Sequence, residues 1–139
     1  MSVSALLSQT TGMTQRVRPL RCFIIDDNPD FIVAATNLLE SGGITVVGVT
    51  TSGAEALRYV ERLCPDVTLI DVDLGGESGF DLARRLHQRA SAAAQSALIL
   101  TSAHTEEDFA DMLAASPAVG FVPKMALSAV AIRELQAER

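Results

Sequence analysis

Acidic, hydroxyl and basic side chains follow four short apolar runs of this sequence. They are Asp26, Asp27, Asp71, Asp73, Thr101 and Lys124. Carboxylates gathered in one pocket repel one another and raise each other's pKa unless a hard cation lies between them. Mg²⁺ (or Mn²⁺) suits such a site, because it takes few protein ligands and shares the oxygens of a phosphoryl group. The residue types therefore predict a metal-dependent phosphoryl site.

Asp71 is the candidate nucleophile, since an aspartate can attack phosphorus and form an acyl phosphate. The Lys124 ammonium and the Thr101 hydroxyl, together with the metal, would neutralise the phosphoryl oxygens during transfer. Lys124 is the only lysine in the chain, against ten arginines. A compact ammonium at this one position indicates a steric need that a guanidinium does not meet.

Each of these residues also has an ordinary structural explanation. Asp26 and Asp27 fit a solvated turn that caps a helix, Asp71 fits a loop acid, and Thr101 fits a β-branched strand end. Taken singly, these explanations compete well with a functional one. Their coincidence at four strand ends favours a common site.

Five apolar runs predict the strands that position these residues. Each run is short, rich in Ile and Val, and apolar at nearly every position, which is typical of parallel strands buried on both faces. They are Leu20–Ile25, Ile44–Val49, Val67–Ile70, Ala97–Leu100 and Val119–Val122. In sheets of this kind, sites form at the carboxyl ends of the strands.

Helical patterns fill the segments between and after the runs. Asn28-Pro29 reads as a helix start, Ser52–Glu55 has the form of a capping box, and Thr105–Asp108 resembles a further cap. Further helices are predicted over Asp81–Arg89 and Leu127–Gln136. The alternation predicts an α/β fold, a (βα)5 doubly wound five-stranded parallel sheet of the flavodoxin-like type.

Length and composition predict one globular domain. The chain has 139 residues, of which 48% are hydrophobic and 20% charged. We expect a flexible N-terminal tail over residues 1–18 and the folded domain over 19–139. The net charge of −6 argues against nucleic-acid binding, and the sequence contains no apolar run of membrane-spanning length or secretion signal. Cys22 and Cys64 predict no disulfide, so a cytoplasmic protein is expected.

Four segments resemble the receiver domain of bacterial two-component response regulators, the CheY-like family. The resemblance covers about residues 20 to 137. It lies in residues 23–28, 69–74 with Gly79, 98–102 and 120–124. The run that begins at Gly120 resembles receivers of LuxR-type regulators in particular. Gly75 departs from the pattern, since receivers often have proline there, and it should loosen the loop after Asp71.

The resemblance implies a role for each matching residue. Asp71 would accept a phosphoryl group from a histidine kinase or a histidine phosphotransfer protein. Asp26, Asp27, Asp71 and the backbone carbonyl of Asp73 would form the metal site, with Asp26 acting mostly through water. Lys124 would contact the phosphoryl group, Thr101 would swing in to hydrogen-bond it, and Phe121 would move inward.

The resemblance further implies a switch domain rather than a turnover enzyme. The face formed by the fourth helix, the fifth strand and the fifth helix would bind a downstream protein or an output domain outside this sequence. A homodimer is possible through the same face.

Two alternatives remain open from the residues alone. One is a receiver-like module that binds partners or dimerises without being phosphorylated. The other is a phosphatase of the haloacid-dehalogenase type, which Asp71-Val72-Asp73 also resembles. In that family, however, the nucleophile lies on an early strand and the remaining acids come later.

Overall fold

The computed structural model describes residues 18–89, 91 and 95–138. The strands are β1 (Arg21–Ile25), β2 (Thr45–Thr50), β3 (Val67–Asp71), β4 (Ala97–Ser102) and β5 (Gly120–Pro123). The helices are α1 (Pro29–Ser41), α2 (Gly53–Leu63), α3 (Gly79–Arg89), α4 (Ala110–Ala114) and α5 (Ala129–Ala137). The tail predicted over residues 1–18 lies outside the described residues except for Arg18, whose guanidinium pairs with Asp66 at 2.8 Å.

The strands form one parallel sheet in the order β2-β1-β3-β4-β5. This is the doubly wound (βα)5 arrangement predicted from the apolar runs, and each strand begins and ends within two residues of its predicted bounds. The register pairs Asp71 with Thr101 at the carboxyl ends of β3 and β4. The chemistry-bearing ends of the strands therefore meet at one edge.

Alternate residues of the central strands enter two separate hydrophobic cores. Phe23, Ile25 and Ile70 pack on one side of the sheet with residues of α2 and α3. Ile24 and Leu69 pack on the other side, with residues of α1 and α5. Burial on both faces explains why the central strands are apolar at nearly every position. The same prediction is wrong for β2, which lies at the edge of the sheet and is mostly half-buried or exposed.

Two predicted helix caps form, one of them only in part. The Asn28 side chain accepts hydrogen bonds from the backbone N–H groups of Asp30 and Phe31 at 3.0 and 3.3 Å. The Ser52 hydroxyl accepts from the Glu55 N–H at 3.3 Å, as a capping box requires. The second half of the box is absent, because the Glu55 carboxylate accepts from the Thr50 hydroxyl at 3.0 Å instead.

The helix predicted to begin at Thr105 is shorter than its pattern indicates. Residues Glu106–Phe109 form a 3-10 turn, and only Ala110–Ala114 are α-helical. The Thr105 side chain makes no capping bond to the backbone and contacts the Asp108 carboxylate instead. A helix this short depends on its packing, and its apolar residues Phe109 and Leu113 are only partly buried.

The two cysteines differ in exposure, and this difference predicts their reactivity. Cys22 is fully buried in β1, and burial raises the pKa of its thiol to about 12. Cys64 is half-buried at the end of α2. Because the thiolate is the reactive form, we expect a disulfide reagent at pH 8 to modify one thiol rapidly and Cys22 only as the protein unfolds. A Cys64→Ser variant should lose the fast phase; two fast thiols in the parent protein would contradict this.

Candidate functional site

Asp26 and Asp27 lie in the turn between β1 and α1, with contrasting exposure. Asp26 is 0% exposed, and its Oδ1 accepts a hydrogen bond from the Asn28 N–H at 2.9 Å. Its backbone N–H donates to the Thr50 carbonyl of the neighbouring strand at 3.1 Å, which anchors the turn to the sheet. Asp27 is exposed. The turn therefore offers one buried and one solvent-facing carboxylate at the same edge.

Asp71 is the last residue of β3, the central strand of the sheet. Its Oδ1 accepts a hydrogen bond from the Asp73 N–H at 3.2 Å, and its Oδ2 lies 3.3 Å from Lys124 Nζ. The strand is buried along its whole length, including Asp71. The carboxylate is thus fixed at both oxygens while it faces the edge of the sheet.

Lys124 reaches across the sheet edge to two carboxylates. Its Nζ lies 3.0 Å from Asp26 Oδ2 and 3.3 Å from Asp71 Oδ2. Burial alone would lower the pKa of Lys124, but the pairing with Asp26 and Asp71 outweighs it and raises that pKa. Phe31 on α1 also contacts the ammonium, with its ring centroid 4.4 Å from Nζ. The ammonium is therefore charged and held in place.

Phe31 is not among the site residues predicted from the sequence. Its position in an apolar helical stripe predicts a core side chain, and the ring is indeed partly buried against the core. Only the fold brings the first turn of α1 beside Lys124. The only indication in the sequence is that Phe31 follows the Asp26-Asp27 turn by four residues, which places it near the predicted site.

The three acids Asp26, Asp27 and Asp71 form a group suited to a hard divalent cation. One oxygen from each lies within 4.8 Å of the others. Asp26 Oδ2 is buried and, within the part of the chain that the structure describes, receives no hydrogen bond of good geometry, although Lys124 Nζ is near. An all-oxygen donor set of three carboxylates, with a single ammonium beside it, fits Mg²⁺ or Mn²⁺.

The pKa of Asp71 is raised to about 6. Burial is the main cause, and the negative charge of Asp26 adds to it. The hydrogen bond from the Asp73 N–H and the Lys124 ammonium act in the opposite direction. At neutral pH Asp71 is therefore ionised, as a nucleophile must be. Its buried negative charge is unfavourable, and a bound cation would stabilise it.

The loop after Asp71 carries Asp73 and two structurally demanding glycines. The Asp73 carboxylate is exposed and accepts from the Gly75 N–H at 3.1 Å, so it does not join the acidic group. Gly75 has φ +68°, which proline cannot adopt, and this explains its departure from the receiver pattern. A Cβ at Gly79 would lie 2.8 Å from the Asp71 carbonyl carbon, so only glycine fits there.

Thr101 and Phe121, the predicted switch pair, are both buried. The Thr101 hydroxyl donates to the Val122 carbonyl at 2.6 Å. Phe121 is only 7% exposed and packs against Phe109 with ring centroids 6.0 Å apart. Phe109 in turn packs against Phe80. The Phe121 ring thus lies inward in this conformation, and its movement on phosphorylation stays a prediction.

Fold and site together define a doubly wound α/β domain of the CheY-like type. The family model for the response regulator receiver domain matches residues 22–135. The chain belongs to this family. The family also accounts for the two acids that follow β1 and precede Asp71, an order that the haloacid-dehalogenase alternative does not explain. No helix among the described residues is long and apolar enough to cross a membrane.

Relatives and solved structures agree with this assignment. The DNA-binding transcriptional activator EvgA of Escherichia coli K12 is 34% identical over 105 residues, which cover 76% of this chain and 50% of EvgA. The chain thus spans about half the length of the curated relatives it matches. The signal receiver domain of NarL from Mycobacterium tuberculosis superposes with a TM-score of 0.76 at 27% identity, covering 88% of this chain and all of that domain.

A LuxR-family response regulator from Aurantimonas also has a similar structure. Its TM-score is 0.77 at 26% identity, and the match covers 87% of each chain. This likeness is consistent with the LuxR-type character of the segment that begins at Gly120.

Proposed function

We propose that Asp71 accepts a phosphoryl group from a histidine kinase or a histidine phosphotransfer protein in the cytoplasm. One observation carries the proposal: the Asp71 carboxylate lies 3.3 Å from a lysine ammonium and forms a group with two further carboxylates. A structural ion pair would need only one acid for the one lysine. The surplus of negative charge fits a site that also receives a cation and an anionic group.

The transfer chemistry follows from the positions of these groups. A carboxylate oxygen of Asp71 forms a bond to phosphorus while the bond from phosphorus to the donor's imidazole nitrogen breaks. Asp26, Asp27 and Asp71, with the Asp73 carbonyl, would hold Mg²⁺, which when bound supplies positive charge to the phosphoryl oxygens. Lys124 would supply further positive charge to the phosphoryl oxygens, and its ammonium is already held by Phe31 and Asp26.

We further propose that the phosphoryl group is read out through Thr101. A dianionic group on Asp71 attracts the Thr101 hydroxyl away from the Val122 carbonyl, to which it now donates. Because Phe121 is already buried, the change passes to the short 3-10 and α4 segment through Phe109. The surface formed by α4, β5 and α5 then binds a downstream protein, an output domain or a second receiver.

The test is intact-mass measurement after incubation with Mg²⁺ and acetyl phosphate. We expect the parent protein to gain one phosphoryl mass and Asp71→Asn to gain none. Asp73→Asn is the matched control, since it removes an exposed carboxylate two residues away and should still gain the mass. No gain in the parent would favour a module that binds partners without phosphorylation, and an equal gain in Asp71→Asn would place the acceptor elsewhere.

A further inference from the structure

A groove with an apolar floor and a basic rim lies between α2 and α3. Its volume is about 420 Å³. The floor is formed by Leu57, Val60 and Leu86, and the rim carries three arginines. We call it the arginine groove, and its rim arginines are Arg58, Arg62 and Arg89.

The rim arginines differ from the neighbouring arginines Arg84 and Arg85 in their acidic partners. Arg84 pairs with Asp81 and Arg85 with Glu77, outside the groove. Within the described ranges, none of the three rim arginines forms an ion pair with a carboxylate.

The remaining contacts of the rim leave it with a net positive charge, because three arginines line the groove against the single acid Glu61. Arg62 lies over the Tyr59 ring at 5.3 Å. Glu61, the acid that lines the groove, accepts a hydrogen bond from the Ser91 N–H at 3.3 Å. In a chain of net charge −6, this rim is a local exception that suits an acidic, amphipathic occupant.

The chain itself presents a segment with the complementary character. The 3-10 turn and α4 carry the exposed acids Glu106, Glu107, Asp108 and Asp111. Met112 projects among them and is 50% exposed. Among the described residues no cation pairs with these acids. A flexible thioether flanked by carboxylates matches an apolar floor flanked by arginines.

We propose that the arginine groove binds the acidic segment Glu106–Ala114 of a second copy of this chain. Met112 of one copy occupies the apolar floor of the other, and its flanking carboxylates pair with the rim arginines. The two surfaces of one copy make no ion pair with each other, so the contact is intermolecular. Because groove and segment are different surfaces, the contact is head-to-tail and leaves each copy able to bind another.

Overall charge opposes this contact and sets the conditions under which it forms. Two copies of net charge −6 repel each other at long range. At about 0.15 M salt the Debye length is roughly 8 Å, so the long-range repulsion is screened while direct contacts persist. At about 1 M salt the contact pairs are screened as well. We therefore expect weak association at moderate salt and its loss at high salt.

Sedimentation velocity over roughly 10 to 500 μM protein, the range of weak transient contacts, tests the proposal without metal or phosphoryl donor. The parent should form species that grow with concentration beyond the dimer. Arg58→Glu should weaken association by at least about tenfold. Arg84→Glu is the matched control, because it makes the same change in net charge on an exposed residue outside the groove. Thermal unfolding of both variants checks that they fold.

A charge exchange between the two surfaces makes the test specific. A groove variant, Arg58→Glu with Arg62→Glu, and a segment variant, Glu107→Arg with Asp108→Arg and Asp111→Arg, should each fail to associate alone. Their mixture should associate, because each groove then faces a segment of opposite charge.

Three outcomes would overturn the proposal: a parent that stays monomeric, a dimer that Arg58→Glu leaves unchanged, or a mixture that stays unassociated. A saturating symmetric dimer would assign self-association to another face. Since the experiment uses unphosphorylated protein, its failure leaves the proposed role of Asp71 untouched.

Discussion

Replacing Gly79 by alanine is expected to destabilise the fold by about 3 kcal/mol or more, the range of severe overpacking. A Cβ at this position would lie 2.8 Å from both the Asp71 carbonyl carbon and the Val72 Cα. These are backbone atoms of β3 and the loop that follows it, so no side-chain rotation relieves the overlap. The backbone must shift instead, and the hydrogen bond from the Gly79 N–H to the Val72 carbonyl, now 2.8 Å, is strained.

Gly53→Ala is the matched control for this prediction. Both glycines are the first residue of a helix, α2 and α3. The close neighbours of a Cβ at Gly53 belong to the flexible Glu77 carboxylate, including one oxygen at 2.7 Å, and these can move aside. Urea unfolding should therefore separate the two variants clearly. Similar midpoints for both would show that the backbone beside Asp71 yields more easily than its contacts indicate.

The same substitution should impair phosphorylation, because the displaced backbone carries the Asp71 carboxylate. A shift of Asp71 changes its distance to Lys124 Nζ, now 3.3 Å, and to the acids of the β1 turn. We expect the rate of mass gain with acetyl phosphate to fall by at least about tenfold under conditions where the variant is still folded. Gly53→Ala should retain the parent rate.

The positions of the site residues could be predicted because strand ends follow from local pattern. The runs that end near Ile25 and Ile70 are apolar on both faces, so the next polar residue marks the edge of the sheet. Parallel pairing then brings Asp26, Asp71 and Thr101 to one edge. These inferences need only the apolar pattern that marks where each strand ends and the parallel pairing of the strands.

The details that the pattern did not predict depend on contacts between distant segments. The position of Phe31 beside Lys124 depends on how α1 packs on the sheet. Glu55 completes no capping box because the Thr50 hydroxyl, on the preceding strand, is a nearer donor. Phe121 contacts Phe109, which lies in the 3-10 turn that replaces the start of the predicted helix. Local propensity carries no information about such partners.

Metal-free protein is expected to lose stability as the pH rises from about 4.5 to 7.5, and Asp71→Asn to lose less. The pKa of Asp71 is about 6 in the folded state and near 3.8 as an unperturbed group. Between these values the folded state binds more protons than the unfolded state. The free energy of unfolding therefore falls with rising pH across this interval, and the low-stability plateau is reached above pH 6.

The expected size of the effect follows from the shift of the pKa. From pH 4.5 to 7.5 the Asp71 contribution to the free energy of unfolding changes by about 2 kcal/mol. Asp66, whose pKa is lowered from 3.8, acts in the opposite direction and mainly below this interval. The informative quantity is thus the parent's change minus that of Asp71→Asn, measured by urea unfolding in a metal chelator.

Asp73→Asn is the control that distinguishes the effect of the buried acid Asp71 from that of an exposed acid two residues away. Its carboxylate is exposed, so the variant should keep the pH dependence of the parent protein. Parallel curves for the parent and Asp71→Asn would contradict the prediction and show that Asp71 titrates normally. If the curves diverge as expected, the folded protein holds an unfavourable charge at neutral pH. Mg²⁺ should then stabilise the parent more than Asp71→Asn, because a cation beside Asp71 relieves the cost that burial and Asp26 impose.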